Sequence, residues 1–121
     1  MDISYEIATN IDLAGAKERF MGNEGLFKKF LLRFPQENRY GELKKQVDEN
    51  NAEGAFQVAH TMKGVVGNLS LVAVGDVLNP IVEVLRAGSL PQNEQMDELE
   101  KVCTHSLEII KYIEEHDVKL F

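Results

Sequence analysis

The stretch Ala55 to Ser70, AFQVAHTMKGVVGNLS, carries its apolar residues at Ala55, Ala59, Met62, Val66 and Leu69. Steps of four and three residues place all of them on one stripe of an α-helix. A single-striped helix must bury that stripe against other elements, and the rest of the chain offers helices. Asp12 opens a short one with Leu13, Ala16 and Phe20 on one side. Gly22 and Asn23 end it, and Asn23 can cap the next, where Leu26, Phe27, Phe30, Leu31 and Phe34 recur at helical spacing. Pro35 interrupts. Gln36 to Glu49 is predicted to resume as helix around Tyr40, Leu43 and Val47, with Gly41 a weak point. Asn51 is a good N-cap for the central helix, and Glu53 complements its dipole.

Beyond Ser70, Val74, Val77 or Leu78, Ile81 and Leu85 form another stripe. Pro80 lies inside it, which predicts a bend near Val77 to Leu78 rather than two helices. Arg86 and Gly88 read as a C-terminal turn and cap. The last and longest helix starts at Pro91 to Asn93 and runs along Met96, Leu99, Cys103, Ile110 and Ile113, widened by Val102, Leu107 and Ile109. Nothing alternates as a strand does. The expectation is therefore all-α: an antiparallel four-helix bundle over residues 36–117, with one or two short N-terminal helices packed on one end. Residues 1–10 are expected to form a loosely ordered arm.

At 121 residues and 44% apolar content the chain suits one domain with one core. A net charge of −7 argues against non-specific binding to nucleic acid or anionic membrane. No apolar run approaches the ~18–20 residues of a membrane span, and MDISYEIATN lacks the layout of a signal peptide. A cytoplasmic location is expected. Cys103 is the sole cysteine and reads as a small buried hydrophobe, which suits a reducing compartment. His60, His105 and His116 form no H-x-x-x-H or Glu-x-x-His pair, so no metal site is expected. His105 and His116 are expected on the solvated surface.

His60 lies off the central stripe, with Lys63 and Gly64 one turn later and Gly67 two turns later on the same side. Each glycine costs a helix about 0.8–1 kcal/mol relative to alanine. Access is a physical reason to carry them: a side chain at Gly64 would stand over the neighbouring ring. A histidine ordinarily titrates near pH ~6.5, so at neutral pH it is mostly free base and nucleophilic. Lys63 is placed to hold negative charge beside it, which suits a phosphoryl group. Bland readings stand beside these. A lone helical histidine or lysine is most often a surface residue. Gly67 serves close packing or access. Gln57 is a hydrogen-bonding neighbour of the phosphoryl group or part of a solvated face. Phe56 packs at the core's edge or meets a partner.

The run from Ala59 to Leu69, AHTMKGVVGNL, resembles the signature of histidine-containing phosphotransfer (HPt) domains, Ala then H-x-[LM]-K-G and small or apolar positions. Ile11 to Phe34 is similar to that family's N-terminal segment, with its Asp-Leu start, its Arg, its Gly-Asn turn and its aromatic helix ending in Phe. The resemblance implies that His60 is phosphorylated, that Lys63 contacts the phosphoryl group and that Gly64 gives access. It implies a phosphorelay intermediate, a phosphohistidine carrier rather than an autonomous kinase, taking phosphate from one receiver aspartate and passing it to another. Partners would be response-regulator receiver domains, with a hybrid histidine kinase as a further one, and the chain would act as a monomer. Mg²⁺ would belong to the receiver, so no cofactor or metal is expected here. The alternative is a docking or inhibitory module that binds a receiver or kinase without transfer. Two positions depart from the pattern: Ser70 stands where many members have Gly, and Val82 where many have the Gln or Glu that orients the histidine. Asn79 and Glu83 flank Val82 as possible substitutes.

Overall fold

In a computed structural model, which describes residues 2–121, every regular element is a helix. They are α1 (Ile3–Asn10), α2 (Leu13–Arg19), α3 (Glu24–Leu31), α4 (Phe34–Glu37), α5 (Tyr40–Asp48), α6 (Ala52–Asn68), α7 (Val72–Arg86) and α8 (Asn93–His116). The protein is an all-α helical bundle. Helix α5 packs on α6, α6 on α7, α7 on α8, and α8 closes back on α5. The short connections between these four make successive neighbours run antiparallel.

Helix α6 lies at the centre because its stripe is apolar throughout: Ala55, Ala59, Met62, Val66 and Leu69 are all buried. Asn51 caps it, its side chain accepting from the Gly54 amide at 2.9 Å. Three left-handed residues reverse the chain between the packed helices: Asn50 (φ 58°), Ser70 (φ 57°) and Gly88 (φ 85°). On α7 the stripe resolves to Leu78 rather than Val77, and Val82 joins it with no exposed surface. Pro80 sits within one continuous α7, on the same exposed face as Asp76. The carbonyl that loses its intrahelical donor is therefore close to water. Tyr40 links α5 to α8 by donating its buried hydroxyl to the Met96 carbonyl at 3.1 Å.

The N-terminal third departs from expectation. The segment expected to be a loose arm is helix α1, and only Met1 of that segment lies outside the described residues. Asp2 caps α1 by accepting from the Tyr5 amide, and Ile7 and the following Ile11 are buried where α1 meets α7 and α8. Four short helices, rather than one or two, thus precede the ring. The helix expected over residues 36–49 is divided into α4 and α5. Pro35 suits the first turn of α4, where its missing N–H is not needed. Asn38 is then extended, and its side chain accepts from the Tyr40 amide that starts α5.

Candidate functional site

His60 projects from the middle of α6 into solvent. Among the described residues its ring has no hydrogen-bond partner; its neighbour is the Phe56 ring, stacked at 5.5 Å between centroids and 23° between planes. Phe56 is half-buried and packs against the core, and the Arg86 guanidinium lies 5.1 Å from its ring centre. Phe56 thus packs against the core, as one reading had it, and its ring also stacks on the imidazole.

One open cleft gathers Arg19, His60, Lys63, Gly64, Gly67 and Asn68. The His60-Lys63-Gly64-Gly67 face expected from helical spacing is therefore continuous. Gln57 is exposed and does not line the cleft. A Cβ built at Gly64 or Gly67 meets no atom within 4 Å. This corrects two expectations. Gly67 is not a packing glycine, and a methyl group at Gly64 would not press on the His60 ring. Whatever room these glycines leave is room for something outside the chain.

Arg19 was not foreseen as part of this surface. It ends α2, and its Nη1 donates to the Gly67 carbonyl across the cleft. That carbonyl lies in the last turn of α6, where a cation complements the negative end of the dipole. The backbone fixes the approach: the Asp12 amide, at the start of α2, donates to the Ser70 carbonyl at 2.9 Å in the turn that ends α6. Lys63 is half-buried beside it, and a neighbouring groove continues from Arg19 and Lys63 past Asp76 to Asn79. Among the described residues neither Arg19 nor Lys63 forms an ion pair. Unpaired cations flank the imidazole in a chain of net charge −7.

Neither Asn79 nor Glu83 takes the place of the orienting group that Val82 lacks. Asn79 lines the neighbouring groove rather than the His60 cleft, and Glu83 pairs with Arg86 at 3.3 Å. His105 is also corrected: it is half-buried and bonds Glu6, tying α8 to α1, instead of standing free. His116 is exposed and stacks on Tyr112. Cys103 is buried, and desolvation pushes its thiol up to about 11, far from thiolate reactivity. The described residues hold no group of three or more His, Cys, Asp or Glu arranged to bind a metal, and no helix is long and apolar enough to cross a membrane.

A helical bundle that holds an unpartnered imidazole out beside unpaired cations has the form of a histidine phosphoryl carrier. The family model of the Hpt domain matches residues 36–113, more than half of the chain, and the protein belongs to that family of histidine phosphotransfer domains acting in phosphorelays. No curated protein and no solved structure matches the chain. The matched residues include His60, Lys63, Gly64 and Gly67, and exclude Arg19.

Proposed function

We propose that His60 is the phosphorylated residue, taking its phosphoryl group from the phosphoaspartate of one receiver domain and yielding it to the aspartate of another. One observation carries the reading: within the matched residues, His60 is exposed, its ring has no hydrogen-bond partner among the described residues, and it faces a cleft left open by two glycines.

In the accepting step the lone pair of the unprotonated ring nitrogen forms the N–P bond. The P–O bond to the receiver's carboxylate breaks, and its electron pair stays on that carboxylate. The proton on the other ring nitrogen is free to leave to solvent. Lys63 offsets the charge on the phosphoryl oxygens, where positioning and electrostatics supply most of the rate. Gly64 and Gly67 let the receiver's loops approach. Stacking on Phe56 restricts the ring, a task that a hydrogen bond to a Gln or Glu would otherwise perform. Mg²⁺ and the acidic residues that hold it belong to the receiver, so this chain acts without a cofactor of its own. It works as a monomer in the cytoplasm, with receiver domains and a hybrid histidine kinase as partners.

The burial of Val82 favours one second reading, a module that docks on a receiver or kinase without turning over phosphate. Mixing the protein with a phosphorylated receiver separates the two. Transfer moves the label from receiver to this chain within the time of mixing. Docking alone leaves the label on the receiver while the two proteins co-elute.

A further inference from the structure

We infer that Arg19 is a second phosphoryl-binding cation of this site, so that helix α2, outside the residues matched to the family, completes it. The inference rests on the proposed phosphorylation of His60.

Several observations converge on Arg19. It lines the same cleft as His60 and Lys63, it has no carboxylate partner among the described residues, and its guanidinium is anchored from one side by the Gly67 carbonyl. A guanidinium carries five N–H donors in a rigid fork, and one bond to a carbonyl holds one of them while leaving the others available. Phosphoryl oxygens accept such forks in pairs, and charge-assisted bonds of this kind are about twice as strong as neutral ones. A Cβ at Gly67 would meet open space, so the cleft is bare beside the anchored fork. Lys63 supplies a mobile point charge; Arg19 supplies direction.

The competing account is that Arg19 only caps the C-terminal end of α6. Capping satisfies one of its donors and gives no role to the others, beside the cleft that also holds His60 and Lys63. The two accounts differ in what phosphorylation does. A cap is indifferent to a phosphoryl group on His60, whereas a phosphoryl-binding cation is drawn to it.

The test labels the protein with phosphoramidate, which needs no docked partner. The His60 ring nitrogen forms its N–P bond as the donor's P–N bond breaks and ammonia leaves with the pair. The parent, Arg19→Gln and Arg19→Lys are labelled well below their melting temperatures. Arg19→Gln should label about tenfold or more slowly, the scale of one lost charge-assisted bond, with Arg19→Lys between it and the parent. In ³¹P spectra of the phosphorylated chain, the last phosphoryl proton should leave at higher pH in Arg19→Gln, because the dianion has lost a cation. Should Arg19→Gln fail to fold, the parent decides alone: its Arg19 side-chain N–H resonances should shift when His60 is phosphorylated. Parent-like labelling and an unmoved ³¹P midpoint in Arg19→Gln, or unmoved Arg19 resonances in the parent, overturn the inference and leave a helix cap. A parent that takes no acid-labile label overturns the phosphorylation of His60 itself, and this inference with it.

Discussion

Gly64 allows stability and transfer to be read separately. A methyl group there would touch nothing in the chain, so Gly64→Ala should raise stability by about 0.8–1 kcal/mol through helix propensity alone. Any slowing of transfer must then arise against the incoming receiver, where a misplacement of about 1 Å can cost ~10²-fold. A thermal melt and a transfer time course on one sample read both effects. If Gly64→Ala and the bulkier Gly64→Gln transfer at the parent rate, access is not what the glycine provides. Ser70 makes a second case. Its φ of 57° explains why glycine suits this position. Ser70→Gly should gain about 1 kcal/mol or slightly more in urea unfolding, since the left-handed region costs a residue with a Cβ roughly 1–2 kcal/mol. An unchanged midpoint would mean that the serine compensates for its strain. His60, Lys63 and the glycines were legible in the sequence because local spacing alone puts them on one face. Arg19 was not, because its place beside Gly67 depends on how α2 crosses the end of α6.

At the scale of elements, what sequence could reveal depended on length. The long stripes of α6, α7 and α8 declare themselves, and the residues that the spacing of α6 names are all buried, with Val58 buried beside them. Helix α1 was missed although Ile3, Ile7 and Ile11 lie four residues apart behind the Asp2 cap. A helix of eight residues is marginal by itself; what holds α1 is α7, α8 and the bond from Glu6 to His105, none of which is local. Helix α3 shows a similar long-range tie. Glu24, in its first turn, accepts from the amides of Phe121 at 2.8 Å and Leu120, while Phe121 stacks on Phe27. These amides hold the Glu24 carboxyl below the ordinary glutamate value, the Phe121 bond contributing most. A carboxylate with a lowered folded pKa contributes stability above its unfolded pKa and loses it as pH falls through the folded one. The Leu120 and Phe121 amide resonances should therefore follow a titration whose midpoint lies below the ordinary glutamate range. A midpoint at or above that range would contradict the clamp, and Glu24→Gln should abolish the titration.

On the scale of the whole molecule, the bundle holds the His60 ring out into solvent from the middle of α6. Residues 36–113 hold His60 and the bare face, and α1 to α3 pack outside them, with Arg19 brought to its edge. Arg19 and Lys63 line the cleft that holds His60, where their charge would attract an anionic group. The central claim is that His60 carries phosphate. Its most direct test is intact-mass analysis of the parent and His60→Gln after mixing with a phosphorylated receiver, before and after mild acid. The account predicts one phosphate on the parent, lost in acid as a phosphoramidate is, and none on His60→Gln, whose stability should stay within about ±0.5 kcal/mol of the parent because the site is exposed. An acid-stable phosphate on the parent, or an undiminished label on a folded His60→Gln, would contradict it.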